Sequence, residues 1–222
     1  MASFSIGDLG RRELLQISAV LAASGTVALA KPAGAETLPN TPQQILGPFY
    51  PLTEFPQTPD LTRLPGRSGR AKGQVLNVMG RVMNIAGEPV RGAKVEVWQA
   101  NASGRYTHPS DPNPAPLDPN FEGTALLMTD AEGRYRFKTI KPGAYPTGPT
   151  TVRPAHIHFQ VSGRQDRLVT QMYFAGDPYN AADPFLNSAA RKDLLIVKLQ
   201  DPSAEFEPDS KVVVFDLVVF KG

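Results

Sequence analysis

Twenty-two of the 222 residues are proline, and most of them fall between short apolar runs. Proline removes a backbone donor and breaks helices, so this spacing favours short strands joined by stiff surface loops over a helical bundle. The apolar runs agree. Residues 74–83, 94–100, 126–129, 134–139, 156–162, 168–174, 194–199 and 212–220 alternate or are β-branched, and most are bounded by turn residues. No long 3.6-residue period occurs after residue 35. The expectation is an all-β protein, an antiparallel β-sandwich of about eight strands with long Pro-rich loops. Three local pairings are expected. The first two strands should form a hairpin across Ala86-Gly87-Glu88-Pro89, the third and fourth across Asp130-Ala131-Glu132-Gly133, and 156–162 should pair with 168–174 across Gly163-Arg164-Gln165-Asp166. Short helical turns fit residues 184–190.

Three segments precede or frame this core. Residues 1–35 read as an export signal: Arg11-Arg12, an apolar run over 17–30, then small residues to Ala35. The paired arginines resemble a twin-arginine signal, which implies a periplasmic or secreted protein; an ordinary secretory signal is the alternative. The apolar run spans about 14 residues against the ~20 a membrane span needs, so no stable span is expected. Residues 36–72 carry seven prolines and read as an extended arm, and 73–222 as the catalytic β-sandwich. The five prolines of 109–120 mark a loop of functional length.

The formal charge of +2 with scattered basic residues argues against a nucleic-acid partner. There is no cysteine, so thiolate ligands and thiol nucleophiles are excluded. Two of the three histidines stand in Arg153-Pro154-Ala155-His156-Ile157-His158-Phe159. On a strand His156 and His158 share one face, with Cα atoms roughly 6.5–7 Å apart, while Ile157 points into the packing. That spacing favours one shared metal ion, with two histidines on a half-exposed strand face as the other reading. Further donors would have to come from elsewhere, and Tyr106 and Tyr145, each in a Gly- or Pro-punctuated loop, are the upstream candidates. Phenolate at neutral pH requires a strongly acidic cation, for which ferric iron is the suitable choice; simple packing is the other reading of each tyrosine.

Taken together, several motifs resemble the intradiol ring-cleaving dioxygenases. They are Gly47-Pro48-Phe49-Tyr50-Pro51, Val95-Glu96-Val97-Trp98-Gln99-Ala100-Asn101 leading to Gly104-Arg105-Tyr106, Pro142-Gly143-Ala144-Tyr145-Pro146, the Arg153–Phe159 run, and Thr170-Gln171-Met172-Tyr173-Phe174-Ala175-Gly176-Asp177-Pro178. The likeness is to the protocatechuate 3,4-dioxygenase branch, without the helical dimerisation segment of the catechol 1,2-dioxygenases. It implies Fe(3+) bound by Tyr106, Tyr145, His156 and His158, with Arg153, Gln171 and Tyr145 catalytic, and a catechol-type substrate opened with O2 to a cis,cis-muconate-type diacid. It leaves a homo-oligomer open. The protocatechuate branch usually follows Tyr-Pro with Trp-Arg-Asn, where this chain has Thr147-Gly148-Pro149, which implies catechols lacking a ring carboxylate. Arg105, Arg164 and Arg167 are the cations that could restore carboxylate binding. His108 is not a ligand position in the family and is read as a surface loop histidine, with a pocket residue as the alternative. Transthyretin-like binding modules share the Gly80–Val95 and Asp130–Phe137 patterns, so a binding module or an inactive dioxygenase homologue is the alternative.

Overall fold

The computed structural model describes residues 37–222. The expected export signal over 1–35 lies outside the described residues. Two sheets face each other. In the first, β1 (Val75–Asn84) pairs antiparallel with β4 (Arg134–Ile140) and parallel with β10 (Lys211–Val214) and β11 (Leu217–Val219). The second has the order β3-β2-β7-β8-β9, built from β2 (Lys94–Gln99), β3 (Thr124–Met128), β7 (His156–Ser162), β8 (Arg167–Phe174) and the two-residue β9 (Ile196–Val197). A small ribbon joins β5 (Tyr145–Pro146) to β6 (Val152–Arg153). A single helical turn, α1 (Pro184–Asn187), falls where the sequence placed one.

The core follows from the period of two. Val78, Val82, Tyr135 and Phe137 point inward from the first sheet, and Val95, Val97, Ile157, Phe159 and Met172 from the second, all essentially buried. Phe159 ties the layers together through edge contacts to Tyr135 and Phe137 at 6.1 Å each and a tilted contact to Phe215 at 5.2 Å.

Several expectations are corrected. The β1–β2 hairpin does not form: its turn closes, with Asn84 N–H donating to Glu88 O at 2.9 Å, but only one bridge, Met83 to Pro89, follows before the chain crosses to the opposite sheet. Pro89 has no N–H to extend a ladder, and the apolar faces of β1 and β2 gain more by opposing each other across the core than by lying side by side. The β3–β4 turn likewise connects the two sheets. By contrast β7 and β8 pair over seven residues as expected. Strands number eleven among the described residues rather than about eight, and the sheets are mixed, because β10 and β11 run parallel to β1 and β9 runs parallel to β8. The run at 212–220 is split at Phe215-Asp216, where the Asp216 carboxylate accepts the Arg81 N–H at 2.8 Å. The run at 194–199 begins as a 3-10 turn, Lys192–Leu195, before the short β9.

The N-terminal segment runs along this body. Thr41 N–H donates to Val218 O (3.1 Å), Gln44 N–H to Val169 O (2.8 Å), and the Thr170 hydroxyl to Pro42 O (2.8 Å). Residues 42–55 thereby cover the outer face of β2, β7 and β8, and that covered face carries the polar cluster described next.

Candidate metal and substrate site

The outward positions of the second sheet place chemistry side by side. The register sets Trp98 opposite His158, His158 opposite Gln171, and His156 opposite Tyr173, so all five side chains stand on one face. His156 and His158 are 1% and 2% exposed, with their Nε2 atoms 3.2 Å apart. His156 Nδ1–H donates to Pro154 O at 2.8 Å, which leaves a lone pair on its Nε2. The Tyr106 hydroxyl lies 3.5 Å from that nitrogen. The Tyr145 ring sits 5.6 Å from both the Tyr106 and the His156 rings.

Two loops bring the tyrosines in. Asn101 turns the first: its Oδ1 accepts from the N–H groups of Ser103 and Arg105, and its Nδ2 donates to Pro116 O. Asp111 Oδ2 then accepts the Tyr106 N–H at 2.7 Å, so the proline-rich 109–120 loop aims this tyrosine. The second loop packs backbone to backbone against the first. A Cβ on Gly104 would lie 2.4 Å from Ala144 O, and one on Gly143 2.5 Å from Ala102 O; only glycine permits that approach. Tyr145 itself lies on β5, not in a loop, paired in register with Arg153.

Behind the donors, Arg153 is fixed on three sides. Its Nε donates to Asp183 Oδ2 at 2.7 Å, and its Nη2 to Gln171 Oε1 at 2.8 Å and to the Tyr173 hydroxyl at 3.0 Å. Asp183 also caps α1, its Oδ1 accepting from Phe185 and Leu186 N–H. Gln171 Nε2 donates to Ile45 O at 2.9 Å.

Burial controls the protonation of the cluster. It pushes His156 down to about 3 and His158 well below the usual imidazole range, with Arg153 adding in the same direction, so both are neutral at physiological pH. Burial likewise raises Tyr106 well above an ordinary phenol and raises Tyr145, Arg153 partly opposing it in each. Neutral imidazoles are ready ligands, whereas the phenols ionise only against a strongly acidic cation. Donors about 2.1 Å from one ion lie about 3–3.4 Å apart; the Nε2–Nε2 separation of 3.2 Å falls in that range and the Nε2–hydroxyl separation of 3.5 Å lies just beyond it. Among the described residues no three His, Asp or Glu side chains converge as a metal site; the oxygen donors beside the histidine pair are the two tyrosines.

The structure thus brings Tyr106, Tyr145, His156 and His158 together and places Arg153 and Gln171 beside them. His108 is corrected: it is half-buried, its ring 5.7 Å from Phe49, and its Nε2 is buried without a partner. Sequence reasoning missed the supporting residues Asp183, Tyr173 and Asp111. Tyr173 was accessible to it, since it lies two residues beyond Gln171 on the same face. Gly47 was quoted in a motif without a role; its φ is +77° and a Cβ there would meet His158 Cε1 at 3.0 Å.

The chain is similar to known dioxygenases. A family model described as dioxygenase matches residues 45–221. The protocatechuate 3,4-dioxygenase beta chain of Burkholderia cepacia is 50% identical over 179 residues, covering 78% of this chain and 76% of that one. The catechol 1,2-dioxygenase of Acinetobacter baylyi is 35% identical, covering 80% of this chain and 61% of its own length. The hydroxyquinol 1,2-dioxygenase of Rhodococcus opacus is 34% identical, covering 78% and 59%. Against those last two relatives the chain thus spans about three fifths of their length. Among solved structures, the catechol 1,2-dioxygenase of Acinetobacter sp. ADP1 superposes with a TM-score of 0.63 at 28% identity, over 80% of this chain and 62% of that one. These relatives are enzymes, not binding modules. The chain belongs to the intradiol ring-cleavage dioxygenases, enzymes that open catechol-type rings with dioxygen.

Proposed function

We propose that this chain binds one ferric ion through Tyr106, Tyr145, His156 and His158 and opens catechols that carry no ring carboxylate. The observation that carries the metal reading is the convergence of two neutral imidazoles and two phenols in a buried cluster, with the His156 tautomer already set. Bound there, the ion supplies Lewis acidity that favours the doubly deprotonated catechol and couples it to dioxygen. The chain's own residues do the rest. Tyr145, on its two-residue strand, accepts a proton from the incoming catechol. Tyr106 is held through its backbone by Asp111 and stays as an anchor. Arg153 presents fixed positive charge to the anion that develops on the ring, an electrostatic contribution that needs no reorganisation because Asp183, Gln171 and Tyr173 hold the guanidinium. Gln171, tied to Ile45 O and Arg153, orients an oxygen at the site.

The substrate preference rests on the cations. Arg153 is the one whose charge acts on all four donors, and it is committed to Asp183. Arg105 donates to Ala115 O at 2.7 Å. Arg167 pairs with Ser162, four residues beyond His158, roughly 13 Å along the strand, and Arg164 lies in the turn beyond it. The turn after Tyr145 is uncharged and closed on itself, Thr147 N–H donating to Thr151 O. A buried ring carboxylate would therefore lack a partner.

Iron analysis tests the first part: about one iron per chain and a burgundy, phenolate-to-iron colour are expected. A protein that stays colourless after reconstitution under air would refute it. Oxygen uptake with catechol, 4-methylcatechol, hydroxyquinol and protocatechuate tests the second, and a clear lead in kcat/KM for protocatechuate would refute the charge argument alone. We further propose export through residues 1–35. A folded reporter fused to them should reach the periplasm, and Arg11→Lys with Arg12→Lys should stop it; continued export would point to an ordinary secretory signal.

A further inference from the structure

One aromatic run leads out of the cluster and has no part in the chemistry above. Trp98, the single tryptophan of the chain, is 1% exposed and stacks on His158 with centroids 4.7 Å apart and planes 9° from parallel. Tyr50 meets the same indole edge-on at 5.0 Å. The Tyr50 hydroxyl donates to Glu96 Oε2 at 3.3 Å and receives Gln160 Nε2 at 3.4 Å. Glu96 makes no ion pair among the described residues. Tyr50 is only half-buried, whereas the indole Nε1–H is buried with no acceptor.

Tryptophan and tyrosine are the side chains most easily oxidised by one electron, and their surroundings decide where the oxidation rests. An indole that cannot lose its N–H proton passes through a radical cation and cannot settle as the neutral radical. A phenol hydrogen-bonded to a carboxylate can lose its proton as the electron leaves. The order from the cluster outward is therefore a stepping stone, Trp98, and then a terminus, Tyr50, that reaches solvent.

We propose that Tyr50 and Trp98 form an electron relay that returns the site to its resting state after hydrogen peroxide, instead of dioxygen and a ring substrate, has oxidised it. One electron leaves Tyr50 and passes through Trp98 and past His158 to the oxidised site, while the phenolic proton moves to Glu96, which releases it to solvent before the next pass; the protons that peroxide consumes are drawn from solvent. Hydrogen peroxide takes up two electrons and two protons to give two waters, so two passes complete one reduction. Between passes a phenolic reductant in solution returns a hydrogen atom to the Tyr50 radical. The relay spares Tyr106, Tyr145 and the histidines from oxidation. It rests on the metal reading above for its source of oxidising equivalents.

Iron-loaded protein mixed with hydrogen peroxide without catechol, then freeze-quenched for electron paramagnetic resonance, should show a tyrosyl radical. Tyr50→Phe, which removes one oxygen from a half-exposed ring, should abolish that signal, and Glu96→Gln should weaken it. Trp98→Phe should abolish it too and increase the oxidised Tyr106 peptide seen by mass spectrometry. A signal that persists in Tyr50→Phe, or a wild-type protein shown to hold iron that gives no organic radical with peroxide, overturns the relay. A second arm needs no metal: laser photoionisation of Trp98 in the iron-free protein should give an indole radical that decays into a phenoxyl radical, and Tyr50→Phe should lack that second step. If the iron reading fails, only the peroxide arm falls silent; if the relay fails, photoionised Trp98 passes nothing to Tyr50.

Discussion

Replacing Asp183 separates two jobs done by one carboxylate. Its Oδ2 takes the Arg153 Nε–H at 2.7 Å, while its Oδ1 takes the Phe185 and Leu186 N–H groups that start α1. The side chains of the pair are 7% and 0% exposed, so solvent screens little. Removing one partner of a buried pair costs about 3–5 kcal/mol. Arg153 would keep Gln171 and Tyr173, which sets the expectation for Asp183→Asn at the lower end, about 3 kcal/mol. The asparagine retains an oxygen for the cap but turns an N–H toward Arg153. Asp183→Ala also loses the cap, worth about 1 kcal/mol more. Urea unfolding followed by Trp98 fluorescence reads both values, and oxygen uptake should show a lower kcat in Asp183→Asn as the guanidinium slackens. A loss within ~1 kcal/mol for Asp183→Asn, with kcat unchanged, would refute the claim that this pair holds Arg153.

Four further outcomes are expected. His156→Ala and His158→Ala should each lose bound iron, measured by metal analysis, because each removes one of the two imidazoles presented by a single strand. Tyr145→Phe should keep most of its iron and turn over slowly, whereas Tyr106→Phe should bleach the colour; equal behaviour of the two would erase their proposed division of labour. Gly47→Ala should cost about 1–2 kcal/mol from its left-handed backbone and weaken iron binding by displacing His158, seen as a shifted visible band. The iron-free protein should lose stability as pH falls from about 6.5, the free imidazole value, toward about 3, the folded value for His156. Between those limits the unfolded chain binds the extra proton, so unfolding free energy rises with pH; a flat profile of urea midpoints across that window would contradict it.

The histidine pair and its outward face were legible because a strand's period of two is local. So was the β7–β8 hairpin, whose turn is closed by Gly163 N–H donating to Asp166 O and whose strands pair directly onward from it. The other two expected hairpins were not. Their turns close as read, yet each joins opposite layers, and a turn of a few residues is compatible with either outcome. The supporting groups divide the same way. Tyr173 follows from alternation along β8, but Asp183 lies thirty residues from Arg153 and Asp111 belongs to a loop whose path no period describes.

From its residues alone the chain determined an all-β body, the absence of thiolate donors and the shared face of His156 and His158. Which sheet each strand joins was decided only by the tertiary structure, because apolar strands are equivalent pairing partners until both layers bury their faces together. The same holds for the site. Tyr106, Tyr145, His156 and His158, from the loop after β2, the β5 ribbon and β7, come together only when the sandwich closes, the proline-rich loop sets Tyr106, and Gly104 meets the backbone of Ala144.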